Sequence, residues 1–171
     1  MRSIRNETNL CDKKILLRLD LNVPIVKGKI SDTTRIDKIL PTLKFLNKQE
    51  AKIIILSHVG RPRGKILKEL SLKPICENLQ DQLGLNVKLI TKNINEIENK
   101  DFFDNFDEEI LVLENIRFYA EEEKNDNKFA KHLASFGDLY VNDAFSCSHR
   151  SHASIVEISK FLPSFSGLQI D

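Results

Sequence analysis

Apolar positions along this chain fall into two alternating patterns. Short uninterrupted runs occur at Ile15–Leu17, Ile53–Leu56, Ile110–Leu113 and Leu139–Val141, and Val87–Ile90, broken by Lys88, is a further short strand. Runs without polar alternation read as strands buried on both faces. Between them lie longer segments whose apolar residues recur every three or four positions. Ile36, Ile39, Leu40, Leu43 and Leu46 mark a helix from Thr33 to about Lys48, and Leu72, Ile75, Leu79 and Leu83 mark one from Ser71. Phe129, Leu133 and Phe136 mark a third, from Asn127 to Phe136. A fourth is expected from Ser154 to Phe161, ended by Pro163. Strands alternating with helices predict an α/β domain: a doubly wound, mostly parallel, Rossmann-like sheet with helices on both faces.

Punctuation residues sharpen these bounds. Ser31 or Asp32 suits the N-cap of the first helix, and Gly84 suits the position after the second. Pro41 lies inside the first helix and is expected to kink or restart it. Asn93–Glu109 carries seven carboxylates against one lysine, so it reads as a solvated excursion anchored by Phe102, Phe103 and Phe106. Glu121–Lys124 is a charge run and reads as a solvated face. Residues 164–171 read as a tail.

The length of 171 residues fits one domain, or at most two small ones. Twenty-six basic and 25 acidic residues leave a net charge of +1, which disfavours a polyanion-binding protein; any cationic site must be local. Cys11, Cys76 and Cys147 form neither a disulfide framework nor a Cys-x-x-Cys pair, so a reduced cytoplasmic setting is expected. The first ten residues lack the apolar core of a signal peptide, and the longest aliphatic run is far too short to span a membrane.

Chemistry enters where the strands end. Ile53–Leu56 runs into Ser57-His58-Val59-Gly60-Arg61-Pro62-Arg63-Gly64, a loop of glycines and cationic side chains. The other ends carry Asp20 and Asn22; Asn115 and Arg117; and Asn142, His149, Arg150 and His152. In a parallel sheet these lie along one edge, where α/β proteins bind ligands. Arg35, in the first turn of its helix, is placed to face the same edge. Arginine recognises phosphate and carboxylate through a planar fork of donors. Several arginines from separate loops predict a small ligand with more than one anionic group, whereas a polymer would require a long basic stripe.

Competing chemistries fit less well. Gly60–Lys65 is one residue short of a P-loop and lacks the Ser or Thr that holds magnesium. Cys147 and Arg150 are too close in sequence to frame the phosphate loop of a cysteine phosphatase. His149, His152, Cys147 and Asp143 contain metal-ligand types, but Arg150 among them opposes a cation, so no metal site is expected. Asp20 and Asp143 are candidates for a carboxylate pair; Asp20 suits equally a bracket that orients an arginine such as Arg18.

The motifs together resemble the N-terminal domain of phosphoglycerate kinases. The matching stretches are Arg18–Pro24, Ser31–Ile36, Leu56–Gly64, Ser71–Pro74, Leu113–Tyr119, Glu121–Asp126 and Asn142–Ser154, in the family's order. Ser146-Cys147-Ser148 replaces the Gly-Thr-Ala common there. The resemblance implies a two-domain glycolytic kinase that transfers a phosphoryl group between Mg–ATP and the carboxylate of 3-phosphoglycerate, giving 1,3-bisphosphoglycerate. Residues 1–163 would be the substrate-binding domain and 164–171 a tail leading to the hinge. Mg–ATP or ADP would be held by a C-terminal nucleotide domain absent from these residues. The resemblance implies a 3-phosphoglycerate site of Asp20, Leu21, Asn22, Arg35, His58, Val59, Gly60, Arg61, Arg117, His149, Arg150 and His152. Arg35 would be the catalytic residue, neutralising charge on the carboxylate and transferred phosphoryl. The expectation is a cytoplasmic monomer with no nucleic-acid or membrane partner, inactive alone. A non-catalytic anion-binding remnant or scaffold domain is the alternative.

Overall fold

The computed structural model describes all residues, Met1–Asp171. Nine strands are present: β1 (Arg2–Ser3), β2 (Lys14–Leu19), β3 (Ile25–Val26), β4 (Lys29–Ile30), β5 (Lys52–Leu56), β6 (Val87–Ile90), β7 (Ile110–Leu113), β8 (Leu139–Asp143) and β9 (Ser164–Ser166). The α-helices are α1 (Thr34–Lys48), α2 (Lys73–Leu83), α3 (Ala120–Glu123) and α4 (Asn127–Ala134). Seven strands form one sheet in the order β1-β9-β8-β2-β5-β7-β6, with every pairing parallel. β3 and β4 form a separate antiparallel hairpin. No helix is long and apolar enough to cross a membrane.

The uninterrupted apolar runs fill both layers. Ile15, Leu17, Leu19, Ile53, Ile55, Ile110 and Val112 pack on one face with Ile36, Leu43, Ile75 and Leu79 of α1 and α2. Leu16, Ile54, Leu56, Leu111 and Tyr140 pack on the other with Phe129 and Leu133 of α4 and with Phe103 and Phe136. Period-two geometry assigns Arg18 to the second face, beside Leu16, where it is fully buried.

Five expectations are corrected. Helix α1 runs unbroken through Pro41, because Ile36 and Ile39 before it and Leu43 and Leu46 after it are all buried against the sheet. Tertiary packing there outweighs the proline's propensity. The N-cap of α1 is Thr33, whose side chain makes no capping bond, rather than Ser31 or Asp32; Asp32 stands one residue earlier, its carboxylate accepting the Thr34 N–H at 2.8 Å. The Ser154–Phe161 helix is replaced by turns and a short 3₁₀ segment, Glu157–Lys160, because Ser154 is buried and its hydroxyl is engaged with Glu122 and Arg18. Glu122, read as solvated, is fully buried in α3 for the same reason. Finally, the chain past Pro163 is more than a tail. Ser164–Ser166 pairs with β8 on one side and β1 on the other. The Asp143 carboxylate accepts from the Gln169 N–H at 2.9 Å and the Ile170 N–H at 3.2 Å, which pins the terminal turn to the sheet.

Candidate functional site

The carboxyl ends of β2, β5, β7 and β8 surround one open cleft of about 540 Å³. Its shape begins with backbone turns. After β2, the Asp20 carboxylate accepts the Asn22 N–H at 3.2 Å, and the Asn22 side-chain oxygen accepts the Gly60 N–H at 2.9 Å. Gly60 has φ +65, and a Cβ there would come within 2.7 Å of Leu70, so this turn needs glycine. The Gly64 N–H donates to the Arg117 carbonyl at 3.0 Å, tying the β5 loop to the β7 loop.

Asn115 and Asn142 serve the scaffold. The Asn115 amide donates to the Val59 and Leu70 carbonyls at 2.8 and 2.9 Å, and its oxygen caps the turn at the Arg117 N–H. The Asn142 oxygen accepts the Ala144 N–H at 3.0 Å. Both asparagines satisfy buried backbone and leave the ligand-facing work to neighbouring residues.

Arg35, Arg61, Arg63, Arg117 and Arg150 all line the cleft, against the two carboxylates Asp20 and Glu123. Asp20 is buried and holds Arg35 at 3.1 Å, while Arg35 also donates to the Asn22 carbonyl at 3.1 Å. Asp20 thus brackets Arg35, correcting the pairing with Arg18. The Ser146 hydroxyl donates to the other Asp20 oxygen. The opposite wall is less paired. Arg117 is 7% exposed, its Nε has no hydrogen-bond partner, and the nearest Glu123 oxygen is 3.9 Å away. Burial lowers the pKa of Arg117. His152 Nδ1 is likewise buried and unpartnered.

His58 is 2% exposed between the cleft and the core. Arg18 sits behind it. Arg18 donates from Nε to the Ser154 hydroxyl at 2.8 Å and from one terminal nitrogen to the Leu19 carbonyl at 2.5 Å, while its other terminal nitrogen approaches His58 Nδ1 at 3.2 Å. The Ser154 hydroxyl donates to Glu122 at 2.5 Å, and the Ser154 N–H donates to the same carboxylate at 3.0 Å. Burial drives the His58 pKa down to about 2, with Arg18, Arg117, His152 and Arg150 adding repulsion. Burial also lowers the His152 pKa, with Arg117 next in effect. Burial raises the Glu122 pKa, against the pull of Arg18 and the Ser154 donors.

Of the residues proposed from sequence, Asp20, Asn22, Arg35, His58, Gly60, Arg61, Arg117, Arg150 and His152 meet at this cleft. Leu21 and Val59 do not line it; both are buried in the apolar core beneath the loops. His149 is exposed and also lies outside the lining, because the turn that buries His152 leaves it facing solvent. Sequence reasoning missed Arg63, Glu123, Ser146 and Cys147 as lining residues, and Arg18 as the buried support. Arg63 was visible in the same loop as Arg61. Glu123 was hidden in a charge run, and Arg18 required the strand's two-residue period to be followed to its last turn. No group of three or more His, Cys, Asp or Glu side chains is placed to hold a metal ion. The cleft suits a small ligand with more than one anionic group, bound by guanidinium groups and by imidazoles whose charging burial disfavours.

The family model described as phosphoglycerate kinase matches residues 5–171. The chain is 43% identical over 171 residues to the phosphoglycerate kinase of Borrelia garinii subsp. bavariensis, covering all of this chain and 44% of that one. It is 51% identical over 160 residues to that of Wolbachia pipientis subsp. Culex pipiens, covering 92% and 40%. The structure of phosphoglycerate kinase from Coxiella burnetii superposes with TM-score 0.87 at 34% identity, over 98% of this chain and 42% of that one. The chain therefore spans 40–44% of the length of these relatives.

Proposed function

Because the chain belongs to the phosphoglycerate kinase family, we propose that its arginine cleft binds 3-phosphoglycerate for phosphoryl transfer between ATP and the substrate carboxylate. The observation that carries this reading is the buried, unpartnered Arg117 Nε beside a cleft walled by five arginines. A buried donor without a partner costs roughly 1–3 kcal/mol, and an anionic ligand relieves that cost. Arg61, Arg63, Arg117 and Arg150 hold the phosphate and carboxylate. Asn22 and Asp20 set the floor of the loop. His58 and His152 supply neutral ring nitrogens.

Arg35 is the proposed catalytic residue. Asp20 and the Asn22 carbonyl fix its guanidinium before substrate arrives. Phosphoryl transfer depends on positioning and charge stabilisation more than on a protein nucleophile, and a pre-oriented cation supplies that without reorganisation. Five guanidinium groups repel a divalent cation, so this cleft does not fit Mg²⁺. The Mg–ATP site is assigned to residues outside these 171, which alone should bind 3-phosphoglycerate without turnover. The setting proposed is glycolysis in a reducing cytoplasm, in keeping with three free cysteines, and as a monomer.

Titrating 3-phosphoglycerate while following histidine NMR signals tests the site. Saturable shifts are expected at His58 and His152, with little change at exposed His149. Unmoved signals at millimolar ligand would refute binding, and ADP formation by the 171-residue chain would refute its dependence on a second half.

A further inference from the structure

The nitrogen pair in His58 is asymmetric in its surroundings. Nδ1 lies 3.2 Å from the Arg18 guanidinium, which has donors only and no acceptor. Nδ1 must therefore accept, and the ring proton must reside on Nε2. The ring's hydrogen bond to the protein is at Nδ1, and His58 borders the cleft, so Nε2 is the nitrogen left to a ligand.

Arg18 is itself fixed. It is fully buried, and its Nε–H and one terminal nitrogen are held by Ser154 and the Leu19 carbonyl. Its charge is compensated across the Ser154 hydroxyl by Glu122, also fully buried. The Ser154 carbonyl accepts the Tyr140 hydroxyl at 2.6 Å, which locks the same residue from its other side. None of Arg18, Ser154 and Glu122 lines the cleft. A buried arginine linked to a buried carboxylate only through a hydroxyl is weak support for stability and is better explained by a positioning task.

We propose that the buried relay Glu122–Ser154–Arg18 holds His58 as the neutral Nε2–H tautomer, so that it offers the cleft a fixed, uncharged hydrogen-bond donor. Arg18, Ser154 and Glu122 are positioning residues; only His58 touches the ligand. The identity of that ligand rests on the 3-phosphoglycerate reading, while the relay does not. A neutral donor has a clear use here. Five guanidinium groups dominate the donors of the cleft, and a protonated ring would face Arg18, Arg117, Arg150 and His152. Glu123 lies nearest Arg117, and Glu122 is screened behind Ser154, so neither carboxylate pairs with the ring. A donor whose charge does not change keeps its ligand contact constant across physiological pH.

The test is long-range ¹H–¹⁵N NMR of the labelled protein between about pH 5 and 8, the window in which an ordinary histidine titrates. His58 should show an unprotonated Nδ1 and a protonated Nε2 throughout. An Nδ1–H tautomer, or a ring that becomes doubly protonated in that window, overturns the proposal. The paired variant Arg18→Met/Glu122→Gln removes both buried charges together. In it, His58 should titrate closer to the ordinary histidine range, and 3-phosphoglycerate should bind roughly tenfold more weakly, the loss of one oriented charge-assisted hydrogen bond. An unchanged tautomer and affinity in that variant overturn the relay. Should the variant not fold, the wild-type spectrum alone decides. Saturable ligand shifts with the wrong tautomer defeat the relay and leave binding intact. The right tautomer without ligand shifts does the reverse.

Discussion

Replacing Arg117 with methionine separates binding from stability. Methionine keeps an unbranched apolar stem in the space the arginine stem fills, and deletes the guanidinium. The guanidinium is nearly buried, its Nε is unpartnered, and its closest carboxylate stands at 3.9 Å, beyond hydrogen-bond reach. Arg18 and Arg150 add repulsion. An unsatisfied buried donor costs about 1–3 kcal/mol in the free protein, so its removal should leave stability unchanged or raise it by about 1 kcal/mol. On a domain of this size that is about 2–4 °C in Tm. The ligand loses a hydrogen bond between charged partners, worth about 1.5–3 kcal/mol, so the Kd for 3-phosphoglycerate should rise about 10- to 150-fold. Calorimetric titration and urea denaturation read the two quantities independently. A Kd within about twofold of wild type, or a stability loss above about 2 kcal/mol, would refute the view that this arginine is held ready for an anion at the expense of the fold.

The other buried arginine should behave in the opposite way. Arg18→Met alone strands Glu122 and should cost about 3–5 kcal/mol, most of it recovered in Arg18→Met/Glu122→Gln, as read by urea midpoints. Acid should weaken the fold early: with the His58 pKa at about 2 in the native state and 6.5 ordinarily, the unfolded chain gains a proton that the native chain refuses. Stability present above about pH 6.5 is then lost as pH falls, by about 1.4 kcal/mol between about pH 7.5 and 5.5 from His58 alone. His152 acts in the same direction. A flat pH profile, or one unaltered by His58→Gln, would count against this. At Gly167 a Cβ would stand 2.3 Å from the Asp143 carboxyl carbon, so Gly167→Ala should destabilise by about 1–3 kcal/mol. Amide exchange should rise first at Gln169 and Ile170, and unchanged protection there would refute the clamp.

The parallel sheet was legible because β2, β5 and β7 are apolar on both faces, a pattern only a covered sheet produces. The cleft was legible because each of those strands stops at a cation or an amide. What escaped depended on contacts distant in sequence. Ser154 looks like a helix cap and Glu121–Lys124 like a solvated face until Arg18 is placed between them. β9 has three residues and weak apolar character, and becomes a strand only because β8 and β1 offer it both edges. Pro41 was correctly marked as a local defect, but the buried residues on both sides of it outweigh that defect. His149 and His152 are alike in sequence. The turn through Cys147 and Arg150 exposes one and buries the other.

The strand order also sets a sequence of events during folding. β2, β5, β7 and β6 are all available once the chain has reached Leu113, and they pair with one another. β8 must then return across most of the chain to the free edge of β2, and β9 adds to the outer edge of β8. Such distant pairings form slowly because loop closure precedes their reward. Until β8 docks, the edge of β2 is an exposed, apolar template for mispairing with another chain. The cleft takes Arg35, Arg61 and Arg117 from the early half and Arg150 from the late one. The anion site is therefore assembled last, and a ligand that bridges both halves would act on the final step of folding, trapping β8 in register.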